Sequence, residues 1–202
     1  MELAMTRENF WKYIAEAHKK EKDNNGIMNY LVEKLSNKSY EEIFSFGIIV
    51  DEIMLESYNQ KLWCASYLLN GDTREESFDF FRLWLISQGE KIYNDVMKNP
   101  DNLIKYVDEP DEDFISDLYE NEDFFFVAVD AFGIKNDMGI FEELFEIYLG
   151  EFDSYKEKLH YNDEDYPKLK LTWCEKVPKS MKKICPKLFE RFYIGEDEYT
   201  RN

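Results

Sequence analysis

The sequence predicts an all-α fold, a compact single-domain bundle of about seven to nine helices. Most segments repeat apolar residues at intervals of three or four, which is the spacing of one buried helix face. Sequences that cap helix N-termini precede several of these segments. One apolar run, residues 124–133, could also form a buried strand, but no second run of comparable quality is available to pair with it. A helix is therefore the better prediction for that run as well.

The first third of the chain contains four predicted helices. Thr6 can cap the first, and the second follows at the same apolar spacing. Ser39 and Glu42 form a Ser-x-x-Glu capping box at the start of the third. The fourth spans Leu62–Asn70 and ends where Gly71 can adopt a left-handed conformation.

The longest helix is predicted to begin after Thr73. Thr73 and Glu76 form a second capping box, of the form Thr-x-x-Glu. Apolar positions continue at helical spacing past Gly89 to Val96, and Pro100 follows the end of the pattern. We therefore expect one continuous helix across this region.

The second half alternates helices with irregular segments. Asp101 can cap a short helix over Leu103–Val107, and further helices are expected from Phe114, over residues 124–133 and from Ile140. Irregular loops are predicted near residues 108–113 and 150–172, and residues 180–192 are predicted to be helical despite Pro186. The single domain is expected to span residues 1–202, with its core in about 6–192 and a frayed tail at 193–202.

Charge is distributed unevenly along the chain, whose formal net charge is −18 at pH 7. Residues 101–165 hold 21 acidic and 4 basic residues, whereas residues 166–193 hold 2 acidic and 8 basic residues. A chain this acidic repels phosphate backbones, so direct binding of nucleic acid is not expected. The acidic region could fold onto the basic segment, or it could stay open to a basic protein partner. The sequence leaves both arrangements open.

The cysteine content and the hydropathy pattern predict a cytoplasmic protein. Cys64, Cys174 and Cys185 are odd in number and form no Cys-x-x-Cys pair, which argues against a disulfide framework. The longest obvious apolar run, Phe124–Val129, is far shorter than the ~18 residues that span a bilayer. The N-terminus lacks the layout of a signal peptide. We therefore expect no association with a membrane.

The sequence contains no motif for a cofactor, a metal ion or a catalytic group. Neither glycine-rich nucleotide fingerprint is present. The two histidines, His18 and His160, have no partner at metal-ligand spacing. The acidic clusters at 108–113 and 163–165 lack the layout of a calcium loop, so they are best explained as solvated loops. We therefore predict no cofactor and no metal site.

The strongest candidate for a polar site is the segment 70–89. Asp79 and Arg82 are three residues apart on one helix and can pair. Apolar neighbours should shield Arg82, and a shielded charge requires a partner. Helix capping alone could explain the two acids of the first turn, and the tryptophan could equally belong to the core. The candidate binding residues are Asn70, Glu75, Glu76, Asp79, Arg82, Trp84 and Gln88.

Four segments of the sequence resemble the bacterial domain-of-unknown-function family 4240. They are FW at 10–11, LWCASYLLNG at 62–71, FDFFRLWLISQG at 78–89 and CPKLFERF at 185–192. The resemblance covers about residues 6–192, and it implies an all-helical bacterial cytoplasmic protein without an established activity. The family's Gly-Gly-Cys-Ser-Asp-Asp-Gly is replaced here by GDTREES at 71–77, so a polar pocket built on two acids would have altered geometry.

The expected function is that of a non-catalytic binding module for a basic protein. An immunity protein or antitoxin that neutralises a basic toxin would have this charge and size, and a DNA-mimicking regulator is a second binding role. The alternative is an enzyme or small-ligand binder around Glu75, Glu76, Arg82 and Gln88. Paired acids there could act as general acid and base if burial separated their pKa values.

Overall fold

The computed structural model describes residues 2–108, 119–138 and 141–193, and this part of the chain is helical with connecting loops. Ten α-helices and one 3-10 helix follow one another. They are α1 Arg7–Lys20, α2 Asn24–Ser36, α3 Tyr40–Ser57, α4 Gln60–Asn70, α5 Glu75–Ser87, α6 Glu90–Lys98, the 3-10 helix Pro100–Lys105, α7 Asp123–Lys135, α8 Phe141–Leu159, α9 Pro178–Ile184 and α10 Pro186–Phe192. No strand occurs within those ranges. The all-α prediction is confirmed, including a helix, α7, in the ambiguous apolar run.

The described residues contain more helices than the seven to nine predicted. One reason lies at Gly89, where the predicted continuous helix divides into α5 and α6. Gly89 has φ +91° and ψ 166°, a conformation that is essentially restricted to glycine and that ends a helix. A second division falls at Cys185, which separates the two short helices α9 and α10.

Two of the four predicted N-caps are confirmed. The Thr6 side chain accepts from the backbone N–H of Asn9, and Ser39 with Glu42 forms the predicted capping box. The prediction of a capping box at Thr73 was wrong, because α5 begins at Glu75 without a side-chain cap. Asp72 instead accepts a bond from the backbone N–H of Arg74 at 2.8 Å and pairs with its guanidinium, which shapes the turn before α5.

Asp101 caps a different helix from the one predicted. Asn99 caps the 3-10 helix by accepting from the backbone N–H of Asp101 at 3.2 Å. The carboxylate of Asp101 is buried and accepts from the backbone N–H groups of Lys187 at 2.9 Å and Leu188 at 3.0 Å. Asp101 therefore stabilises the first turn of α10, a helix far away along the chain.

Helix α8 corrects the prediction of an irregular loop from residue 150. The helix continues through Gly150 to Leu159, and only the later part of the predicted loop lacks helix. Nothing lies within 4 Å of a Cβ placed at Gly150, so the glycine interrupts neither the helix nor its packing. The predicted loop at 108–113 lies outside the described residues except for residue 108, and the predicted tail at 193–202 except for residue 193. Phe114, where a further helix was predicted to begin, also lies outside them.

The core surrounds α3 and α5. Helix α5 is buried almost all round from Phe81 to Ser87, and α3 buries residues along most of its length. Aromatic rings from α7 and α8 pack around Phe44 of α3, with ring centroids 5.6–6.1 Å apart for Phe132, Tyr148, Phe152 and Tyr155. None of the helices in the described ranges combines the length and the apolar composition needed to cross a bilayer.

Candidate functional site

Arg82, a charged residue of the predicted polar segment, is completely buried. Its guanidinium pairs with Asp79 one turn earlier, as predicted, and also donates to the backbone carbonyl of Met54 on α3. Its Nε atom has no hydrogen-bond partner in the described part of the chain. Arg82 therefore joins α5 to α3 through a charge that the interior only partly compensates.

Three aromatic rings enclose the guanidinium of Arg82. Its central carbon lies 4.8 Å from the ring centre of Phe78, 5.0 Å from that of Tyr58 and 5.1 Å from that of Tyr166. The rings of Tyr58 and Tyr166 stack at 4.5 Å. Cation–π attraction in this enclosure offsets part of the cost of burying the charge. Tyr166 comes from the non-helical segment after α8 and covers Arg82 from outside.

Burial affects the pKa of the partner carboxylate, Asp79, more strongly than the charge of Arg82 does. It raises the pKa of Asp79 above its usual value, although the guanidinium of Arg82 acts in the opposite direction. The Asp79 side chain keeps 38% of its surface exposed, so water also screens the pair. The pair consequently fixes a helix contact at modest net gain, which is typical of structural buried ion pairs.

The other predicted site residues face separate partners. Glu75 accepts a bond from the hydroxyl of Tyr58 at 2.7 Å, and Glu76 lies 3.6 Å from the guanidinium of Arg74. Gln88 donates to the carbonyl of Trp84 at 3.3 Å, and Trp84 itself belongs to the core.

Asn70 completes this group at the end of α4. Its amide donates to the carbonyl of Tyr119 at 3.3 Å and to the Glu120 carboxylate at 3.4 Å. The carbonyl oxygen of the same amide is buried without a partner in the described part of the chain. The structure thus joins Asp79 to Arg82 and distributes the remaining five residues around them.

Two clefts lie elsewhere on the molecule, and none of the seven predicted residues lines either of them. The larger, of ≈ 650 Å³, separates α2 from the start of α7 and is open to solvent. Asn25 and Asn29 face Asp123 and Asp130 across it. Burial, followed by the charge of Asp123, raises the pKa of Asp130.

The smaller cleft, of ≈ 210 Å³, lies between α3, α7 and α8. It combines apolar walls with Asp51, Tyr148 and Lys156. Sequence reasoning did not find it, because its residues come from three helices that are distant along the chain. A glycine inside the apolar stretch of α3, Gly47, was the one available signal, since such a glycine often permits a close approach.

The exposed side of α8 carries a row of carboxylates, which we call the α8 acidic face. It consists of Glu143, Glu146, Glu151, Asp153 and Glu157, all of them exposed. The lysines of the basic segment are exposed too, and within the described residues none of them forms an ion pair with an acid of residues 101–165; they are Lys168, Lys170, Lys176, Lys179, Lys182, Lys183 and Lys187. No three His, Cys, Asp or Glu side chains in the described ranges are placed to hold a metal ion.

These features define an all-helical protein with a buried arginine at its centre and an exposed acidic face. The chain belongs to the DUF4240 family, whose description is "protein of unknown function" and whose model matches residues 5–133. The match covers α1 to most of α7, and the family-like segment at 185–192 lies beyond it. No curated protein and no solved structure matches the chain.

Proposed function

We propose that this protein is a non-catalytic binding module that holds a basic protein partner on the α8 acidic face. The observation that carries the proposal is the exposure of those five carboxylates. Within the described residues only Asp153 forms an ion pair, with Lys156 of the same helix, and none of the five pairs with a lysine of residues 166–193. Uncompensated negative potential attracts cationic surfaces and speeds their association.

Exposed apolar groups beside the acids support the same proposal. Ile147 of α8 is 46% exposed and Phe125 of α7 is 45% exposed. Protein interfaces combine apolar anchors with a polar rim, and aromatic side chains are enriched among the anchors. A basic protein could therefore gain both electrostatic and apolar contacts here, as an immunity protein gains them on a toxin or a regulator on its target.

The alternative, a small-ligand or catalytic site on Glu75, Glu76, Arg82 and Gln88, has less support. Those side chains bind separate neighbours, and Tyr166 covers the guanidinium. General acid–base catalysis requires both groups within reach of one substrate atom. The arrangement instead favours a structural role for this cluster.

Affinity capture with a matched pair of variants tests the proposal. The first variant, Glu146→Gln/Glu151→Gln/Glu157→Gln, removes three charges from the α8 acidic face. The second, Glu8→Gln/Glu33→Gln/Glu90→Gln, removes three exposed charges from α1, α2 and α6. Each tagged protein is incubated with a lysate of the organism that encodes it, and the retained proteins are identified. Binding of each retained protein to the tagged variants is then measured at low and high salt.

The wild type and the second variant should retain the same basic protein, and the first variant should bind it at least about ten-fold more weakly. Salt should weaken the wild-type complex, because it screens exposed charges. Retention of no basic protein, or equal retention by both variants, would refute the proposal. Displacement of the partner by duplex DNA would identify the partner as a DNA-binding protein and the module as a DNA mimic.

A further inference from the structure

The cleft between α3, α7 and α8 is a largely apolar slot beside the α8 acidic face. Val50 of α3, Ala128 of α7 and Phe152 of α8 form part of its walls, and the exposed ring of Phe125 stands at its rim. Its volume of ≈ 210 Å³ exceeds the ~150 Å³ that holds a benzene ring and falls below the ~300 Å³ of the smallest drug-sized pockets. The slot therefore has room for one amino-acid side chain.

The side chain of Tyr148 forms part of the wall of this slot. The residue is only 5% exposed. A Cβ atom at Gly47 would lie 2.8 Å from its hydroxyl oxygen, so only glycine lets the hydroxyl reach this position. Burial, with the negative charge of Asp51 beside it, raises the pKa of Tyr148. The hydroxyl thus stays neutral and can accept a hydrogen bond from an occupant.

The polar end of the slot carries excess negative charge. Asp51 and Asp153 line it, and Asp163 lies 2.9 Å from Lys156, the one cation among the lining residues described. Lys156 is shared between Asp153 and Asp163, which leaves Asp51 without an ion pair in the described residues. Asp51 is exposed at the edge of the slot, where its carboxylate is accessible from solvent. An incoming cation would compensate this carboxylate.

We infer that the slot receives a single lysine or arginine side chain of the basic partner, its alkyl stem against Val50 and Phe152 and its cation at Asp51. This inference rests on the proposed function and names the point of entry. Long basic side chains bury their stems while their charge stays at a polar edge. A side chain seated in a central pocket is also the usual form of an interface hot spot.

Three four-carbon probes separate the contributions of shape and charge. n-Butylammonium reproduces the lysine side chain, 1-butanol keeps the stem without the charge, and butyrate reverses the charge. Each is titrated into the ¹⁵N-labelled full-length protein at pH 8 and constant ionic strength, where Asp51 is ionised. The amide shifts of Gly47, Asp51 and Ala128 report occupancy of the slot.

We expect saturable shifts at these amides with n-butylammonium and about ten-fold weaker binding of 1-butanol, because a charge-assisted contact is lost. Asp51→Asn should reduce the affinity for n-butylammonium to that for 1-butanol. Glu143→Gln removes one charge from the same acidic face outside the slot and should change nothing. Tyr148→Phe keeps the ring and should reduce the affinity for n-butylammonium less than Asp51→Asn does. Equal affinities for the three probes, no saturable shift, or an unaltered Asp51→Asn variant would overturn the inference.

Binding of the captured partner to the variants distinguishes failure of this inference from failure of the proposed function. A partner that binds the wild type and the Asp51→Asn variant equally, but loses affinity for the α8 variant, would leave the proposed function standing and refute the slot. Absence of a basic partner together with selective binding of n-butylammonium would refute the proposed function. The slot would then be a site for small organic cations.

Discussion

At the scale of single residues, long-range partners decide which polar groups matter. The spacing of Asp79 and Arg82 and the apolar flanks predicted a shielded ion pair, and the structure confirms it. The other groups around Arg82 could not be predicted, because Met54 and Tyr166 come from other parts of the chain and sequence spacing says nothing about them. The same holds for Asp101, whose neighbours in sequence suggested the wrong helix.

Asp101 offers a clean test of a tertiary helix cap. Asp101→Ala leaves the backbone N–H groups of Lys187 and Leu188, the second of them buried, without their acceptor, so we expect the free energy of unfolding to fall by about 1–3 kcal/mol. Asp101→Asn keeps a side-chain oxygen in the same place and should recover most of the loss. Urea unfolding measures both changes.

Hydrogen exchange distinguishes a cap from general packing. The amide of Leu188 should exchange faster in Asp101→Ala than in the wild type, while amides of α5 keep their protection relative to global unfolding. If the alanine and asparagine variants lost the same large amount of unfolding free energy, the accepting oxygen of Asp101 would not be the cause.

At the scale of elements, helix type was easier to predict than helix boundaries. Apolar spacing and the caps at Thr6 and Ser39 gave the correct elements, since those signals are local. The break at Gly89 was missed because apolar spacing continues across it, and only the backbone conformation reveals it. The extension of α8 past Gly150 was missed for the opposite reason, since a glycine there imposes no turn.

Two alanine substitutions separate these two uses of glycine. Gly89→Ala places a side chain at φ +91°, so we expect a loss of about 1–3 kcal/mol in unfolding free energy, although the nearest atom to the new Cβ is 3.8 Å away. Gly150→Ala meets open space inside a helix and should raise stability by up to about 1 kcal/mol. Thermal and urea unfolding of both variants give the comparison, and a stabilised Gly89→Ala protein would show that the break between α5 and α6 is not imposed by the backbone.

At the scale of the whole molecule, net charge works against the fold. A formal charge of −18, with four of the five carboxylates of the α8 acidic face outside any ion pair of the described residues, makes self-repulsion a destabilising contribution. The charge asymmetry was visible in the sequence, whereas the exposure of its members required the packing of α8. The α3–α7–α8 cleft could not be predicted from Gly47 alone, because a cavity depends on the packing of three helices together.

Added salt should therefore stabilise this protein. Raising NaCl from about 10 mM to about 300 mM shortens the screening length from roughly 30 Å to well under 10 Å, so the melting temperature should rise. The variant Glu146→Gln/Glu151→Gln/Glu157→Gln should melt higher at low salt and gain less from added NaCl. A melting temperature that falls with salt would indicate that attractive ion pairs dominate the surface instead.

The end of the family match inside α7 has a consequence for how the chain must fold. Segments after residue 133 supply the ring over the central guanidinium, the two amides that bind Asp101 and the phenol that fills the space above Gly47. A fragment truncated at residue 133 would lack the ring over Arg82, the two donors to Asp101 and the aromatic wall beside Gly47. We therefore expect residues 5–133 and the segments that follow them to unfold in a single cooperative transition.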